Sequence, residues 1–213
     1  QGVYLCAYDA EDGSALWKKR IDDVSPQGYL LASETRLFVP TGRTTPAIFD
    51  RKSGAYLGRF EGLGGAYAIL VDDTVLSRAG RSTSELGLLD PTTKERIATF
   101  NGIRMIVQHG NAYLLNENQI SALNRTRYID LSKQRNHLNK RREAIEEKIR
   151  NVSRSSNRQQ LQTLRTELNL IKGEIGKIMG QMEECILWQR FVSFPYSMIM
   201  AGDLLFAGGD NMV

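Results

Sequence analysis

The sequence is poor in the residues that build metal and redox sites. Among its 213 residues are two cysteines, Cys6 and Cys185, and two histidines, His109 and His137. The cysteines form no C-x-x-C motif, which argues against a zinc or dithiol site. Both lie in apolar, strand-like segments, so we expect small buried thiols, with a disulfide as the alternative. The histidines fall on different predicted elements without converging partners, so we assign no catalytic, cofactor-binding or metal-binding residue.

Long apolar runs are absent as well. No segment approaches the ~20 apolar residues that a membrane-spanning helix needs, so we predict no transmembrane segment. The first residues do not combine a basic end with an apolar stretch, as a secretory leader would. Because residue 1 is Gln and residue 213 falls inside a strand-like segment, we expect this chain to be a piece of a longer protein.

What the sequence does contain is an internal repeat. Residues 3–21, 47–62 and 86–102 each read as a short apolar strand, an Asp, a tight polar turn and a second strand. The marker residues are Asp9, Asp50 and Asp90, spaced 41 and 40 residues apart. That period is typical of a four-stranded propeller blade. Asp accepts bonds from backbone N–H groups in such turns, and Gly13 and Gly54 supply the positive φ that a tight turn needs. The third copy has Lys94 at this place, so we predict a degenerate turn there.

A fourth copy begins at residue 120 and is interrupted. Asn124 occupies the Asp position, and the pattern resumes at Cys185, with Trp188 where the first copy has Trp17. About sixty residues therefore replace the turn, and residues 197–213 begin a fifth copy. The sequence predicts a mainly β protein, a β-propeller of four-stranded antiparallel blades with about four blades present. We divide it into blades at 1–126, an insertion at 127–184 and a continuation of the propeller at 185–213.

The first copy carries a recognisable motif. Its segment AYDAEDGSALW resembles the A-x-D-x-x-T-G-x-x-x-W motif of pyrroloquinoline-quinone-type repeats, matching at Ala7, Asp9, Gly13 and Trp17. In quinoprotein-like propellers the Trp packs between adjacent blades, so the resemblance implies a structural role for Trp17 and Trp188, which we expect to be buried. It also implies a periplasmic or exported setting, because such propellers include the lipoprotein of the outer-membrane barrel assembly machine.

The insertion reads as two helices in an antiparallel coiled-coil hairpin. Its second half has apolar residues at alternating steps of three and four, a coiled-coil pattern: Leu161, Leu164, Leu168, Ile171, Ile175, Ile178 and Met182. The first half has compatible apolar positions, with polar interruptions at Gln134 and Arg142. A second feature of the later helix is the row of Gly173, Gly176 and Gly180, which is either a tolerated weakness or a smooth face for another backbone.

Positive charge is concentrated in the insertion. Residues 127–184 hold 13 Lys or Arg against 8 Asp or Glu, and the rest of the chain holds 15 against 16. Such a face is either simply solvated or binds an acidic protein or an anionic membrane surface; nucleic acid is not expected, because no aromatic residues interleave the charges. The candidate partner-binding residues are Lys140, Arg141, Arg142, Arg150, Arg154 and Arg158.

The sequence favours a non-catalytic scaffold that binds a protein partner, possessing no cofactor. One alternative is a fragment of a quinone-dependent dehydrogenase, since the resembled family includes enzymes that bind the quinone with calcium. This chain shows no adjacent Cys pair and no motif to which their calcium-binding and catalytic residues correspond. Another alternative is a propeller that binds a small ligand or a glycan in its funnel. A Cys-Cys pair elsewhere in the parent protein would favour the enzyme, whereas a lipidation signal would favour the scaffold.

Overall fold

The computed structural model describes residues 3–22, 24–41, 44–61, 67–78, 84–152, 158–193 and 195–209. These residues form antiparallel β-sheets of two to four strands and two long helices. The first two sheets are formed by β1 (Tyr4–Tyr8) and β2 (Ala15–Arg20), and by β3 (Leu31–Ala32), β4 (Arg36–Val39), β5 (Ala47–Asp50) and β6 (Tyr56–Arg59). The third contains β7 (Ala68–Val71), β8 (Thr74–Arg78), β9 (Glu85–Leu89) and β10 (Arg96–Asn101).

The fourth sheet contains the insertion. It is built from β11 (Arg104–Gln108), β12 (Asn111–Leu115), β13 (Gln119–Asn124) and β14 (Ile186–Phe191), with α1 (Arg125–Val152) and α2 (Arg158–Glu183) between its last two strands. A fifth sheet pairs β15 (Pro195–Ala201) with β16 (Leu204–Gly209). The described part of the chain divides into two compact units, one of residues 1–105, 114–118 and 193–213 and one of residues 106–113 and 119–192.

All four copies of the repeat share one strand register. The residue two before the Asp position faces the Trp position in each pair, with these partners: Ala7 and Trp17, Ile48 and Gly58, Leu88 and Ala98, Ala122 and Trp188. The pairing also shifts by a bulge beside this position in every copy. Because a slip of one residue would move every side chain to the other face, the shared register places corresponding side chains alike in each sheet.

The turns of the first three copies are also alike. The backbone amide of the Asp position donates to the carbonyl five residues on: Asp9 to Ser14, Asp50 to Ala55, Asp90 to Glu95. The predicted degenerate turn at Lys94 is wrong. Lys94 has φ +65°, near the +75° of Gly13 and the +68° of Gly54, and its amide donates to Asp90 as theirs do to Asp9 and Asp50. The closed turn holds this lysine in the left-handed conformation that glycine adopts freely.

Side chains of the second sheet are buried on both faces. Along β4 and β5, Val39 and Phe49 pack with Leu5 and Ile21 of the first copy, whereas Phe38 and Ile48 pack with Val75 and Leu89 of the third sheet. Successive side chains of a strand point to opposite faces. The second sheet therefore lies between its neighbours and supplies half of two separate cores.

Trp17 joins the first copy to the second. Its indole N–H donates to the Arg51 carbonyl at 3.2 Å, and its ring packs so tightly on Gly54 that a Cβ there would lie 2.7 Å from the indole. Trp17 and Trp188 are partly buried, whereas the sequence predicted that both would be buried. In the corresponding contact between the second and third copies, the glycine and the large residue change places. Gly58 occupies the Trp position, and a Cβ on it would lie 2.6 Å from the Nζ of Lys94, which occupies the Gly position.

Replacing Gly54 by Ala is expected to destabilise the protein more than replacing Gly13 by Ala. Both glycines have positive φ at the same turn position, so each substitution costs about 1–2 kcal/mol of backbone strain. A Cβ at Gly13 meets no described atom within 4 Å, whereas one at Gly54 overlaps Trp17, which adds about 1–3 kcal/mol. Urea unfolding of the two variants measures the difference, and equal losses would show that the Trp17 contact is unimportant.

Candidate interaction site on the inserted helices

The two inserted helices leave the fourth sheet where the other copies turn. The Asn124 amide donates to the Cys185 carbonyl at 2.8 Å, which is the bond that closes the turn in the other copies. The Asn124 side chain also accepts from the Arg127 amide at 3.0 Å, so it caps the first turn of α1. In the second copy the Asp50 carboxylate accepts instead from the Ser53 hydroxyl and amide, and these bonds lower the pKa of Asp50.

The cap explains where the helix begins. The sequence predicted an insertion that begins at residue 127, and α1 begins at Arg125, directly after Asn124. Asn is among the strongest helix-capping residues, so Asn124 was the signal in the sequence that indicated this boundary. Residues 153–157, between the two helices, lie outside the described residues, as do residues 210–213 of the predicted fifth copy.

The helices share an apolar core of their own. Ile145 of α1 is buried with Ile171 and Ile175 of α2, and four partly buried side chains pack around them: Leu138, Ile149, Leu164 and Leu168. Among the described residues, Arg141 of α1 pairs with Glu167 of α2 at 3.1 Å, and Arg127 of α1 pairs at 3.2 Å with Glu184, which directly follows α2. No described helix is both long enough and apolar enough to cross a membrane.

The predicted partner-binding residues that the structure describes differ in pairing and exposure. Arg141 is paired with Glu167, and the partly buried Arg142 lies 3.9 Å from Glu146 one turn away. Lys140, Arg150 and Arg158 are exposed, and Arg154 lies outside the described residues. The glycines of α2 face open space, since a Cβ on Gly173, Gly176 or Gly180 would meet no described atom within 4 Å.

Sequence reasoning missed an open groove between the helices. Its volume is about 670 Å³, and we call it the arm groove. It is lined by Lys133, Gln134, His137 and Leu138 of α1 and by Glu174, Lys177, Ile178 and Gln181 of α2. The polar interruption at Gln134 was the only trace of it in the sequence, because a groove depends on how two helices are brought together. The predicted site residues that the structure describes all lie outside this lining.

The remaining motif residues lie in the sheets. Ala7, Asp9, Gly13 and Trp17 belong to the first hairpin, Asp50 and Gly54 to the second, and Asp90 to the third. Trp188 lies in β14, where its ring is 6.3 Å from that of Tyr113. In the described part of the chain, no three His, Cys, Asp or Glu side chains are grouped closely enough to hold a metal ion.

Comparison with known proteins gave structural likenesses only. No family model and no curated protein matches this chain. Among solved structures, BamB from Moraxella catarrhalis is 24% identical with a TM-score of 0.46, over 58% of this chain and 40% of that one. The computationally designed Ika8 protein is 16% identical (TM-score 0.41, over 56% and 39%), and glutaminyl cyclase from Myxococcus xanthus is 14% identical (TM-score 0.34, over 57% of each chain). The chain thus spans less than two thirds of each.

Replacing Ser132 by Ala is expected to stabilise the pair of inserted helices. Ser132 is fully buried on α1, and its hydroxyl has no hydrogen-bond partner among the described residues. Removing an unsatisfied buried hydroxyl and gaining helix propensity should together raise the free energy of unfolding by about 1–2 kcal/mol. Urea unfolding followed by the helical circular dichroism signal measures this. The control, the exposed Asn169→Ala, gains propensity alone, and an equal gain there would contradict the prediction.

The two thiols should differ in reactivity. Both cysteines are free; Cys6 is partly exposed, whereas Cys185 is 1% exposed and burial raises the pKa of its thiol. Because the thiolate is the reactive form, the disulfide reagent DTNB should titrate Cys6 quickly in the native protein and Cys185 only after unfolding. A Cys6→Ser variant that still reacts quickly would contradict this.

Proposed function

We propose that this chain is part of a β-propeller that serves as a non-catalytic scaffold, and that it presents α1 and α2 to a protein partner as an antiparallel coiled-coil arm. The propeller is supported by sheets of four antiparallel strands that recur with one register and one turn geometry. It is also supported by the second sheet, which packs against a neighbour on each face, as stacked blades do.

The ion pairs made by α1 support the antiparallel arrangement of the two helices. Arg127, near the start of α1, pairs with Glu184, and Arg141, further along, pairs with the earlier residue Glu167. The partner residues thus come earlier in the sequence as α1 advances, which supports opposite directions for the two helices. At 1.5 Å per residue, helices of 28 and 26 residues make an arm about 40 Å long.

The bond from the Asn124 amide to the Cys185 carbonyl carries the proposal. It keeps the two strands joined as in the uninterrupted copies, so the insertion replaces only the turn between them. The buried core between the helices is made of helix residues, and the arm therefore has a source of stability of its own. A long element of this kind, not needed for strand pairing, is well suited to bind a partner. The resembled family supports a periplasmic or exported setting.

Removing the arm should leave the sheets folded. In the variant, residues 125–184 are replaced by the sequence of residues 10–13, the turn between Asp9 and Ser14 of the first copy. Because the closing bond is kept, we expect β-type circular dichroism and a cooperative melt, with loss of the helical signal. Capture of host proteins by the full chain, and not by this variant, measures the binding role of the arm.

The control is the Ser132→Ala protein, which retains the arm and should capture the same proteins as the unaltered chain. If the variant lacking the arm aggregates or melts without cooperativity, the arm belongs to the core of the fold. If it folds and still captures the same proteins, the arm is not the binding element. Either result would overturn the proposal.

A further inference from the structure

The arm groove has apolar side chains between the helices, and an exposed leucine lies further along the same face of α2. Leu138 and Ile178 lie between the two helices, half-buried and 9% exposed, respectively. Leu170, four residues before the lining residue Glu174 and therefore on the same face of α2, is 65% exposed. One further apolar side chain, exposed to solvent, therefore lies on this face of α2 beyond Glu174.

The edges of the arm groove are mainly basic. Lys133 lies on the α1 edge and Lys177 on the α2 edge, and neither ammonium group makes an ion pair within the described residues. Glu174 is the single carboxylate of the lining. A pair of apolar side chains between two lysines is complementary to an apolar ridge flanked by carboxylates, because charges at an interface are arranged in complementary pairs.

We infer that the arm groove receives one amphipathic helix of a partner protein, with an apolar ridge flanked by Asp and Glu, so that three helices form a bundle. A helix is the element that fits a groove of this kind, since its side chains at steps of three and four make a continuous ridge. This inference rests on the proposed function of the arm and identifies the chemistry of its partner.

A second copy of the chain fits the groove less well. Residues 127–184 carry 13 basic against 8 acidic side chains, so two arms would repel each other on approach. The acidic helix of a different protein would be attracted by the same charges. The observations therefore favour an acidic partner helix over self-association.

The test uses the full chain and a labelled synthetic peptide of about 21 residues, with Leu at heptad positions a and d and Glu at the flanking positions. Fluorescence anisotropy should show binding that weakens with added salt, whereas a peptide with Lys in place of every Glu should not bind. The double variant K133E and K177E should weaken binding by at least about tenfold. The control K148E and K172E makes the same change in charge at exposed lysines outside the groove lining and should change binding by no more than about twofold.

Leu170→Gln gives a second reading, because its exposed side chain adds little to folding; we expect binding to weaken about threefold or more. The inference fails if acidic and basic peptides bind alike, if the two double variants bind alike, or if sedimentation shows the chain dimerising through residues 133 and 177. The proposed function is tested separately. If removal of the arm abolishes capture of host proteins while K133E and K177E retain it, the arm binds through another surface and only the groove inference falls.

Discussion

One backbone hydrogen bond recurs in the four copies of the repeat and sets the register of the two strands that it joins. It runs from the amide of the Asp position to the carbonyl that begins the next strand, and it is present at Asp9, Asp50, Asp90 and Asn124. It fixes which residue opposes which across the two strands, and so which side chains reach each neighbouring core. The contact of Trp17 with Gly54 depends on it, because a shift of one residue would turn the indole to the opposite face.

Each of two contacts between neighbouring copies places a large side chain against a glycine. In the first contact a large side chain, Trp17, meets Gly54; in the second, Gly58 meets the long side chain of Lys94. The large side chain thus comes from the earlier copy in the first contact and from the later copy in the second, and each meets a glycine. Gly58 has φ +111°, a conformation that a tryptophan would rarely adopt, so the second copy could not simply regain the motif by one substitution.

The sequence predicted what depends on local pattern, and missed what depends on the neighbouring sheet or helix. The mainly β fold with two helices was predictable, since the Asp-containing turns recur every 40 or 41 residues and α2 has a clear apolar stripe. The turn at Lys94 was not, because its conformation is imposed by the closing bonds of Asp90 against the preference of lysine. The arm groove could not be read from either helix alone, since its lining comes from both.

The interrupted apolar stripe of α1 and the groove beside it have the same origin. The apolar stripe of α2 runs along most of the helix, but α1 places Gln134 and Arg142 among its apolar positions. Where α1 is apolar, at Ile145, the helices enclose a buried core with Ile171 and Ile175. Near Gln134, Leu138 is only half-buried, and the space between the helices stays open as the groove that the buried Ile178 also lines. Leucine or isoleucine at such positions would make the helix pair more stable. The polar residues therefore reduce the stability of the pair, and the opening beside them is where we propose that a third helix binds.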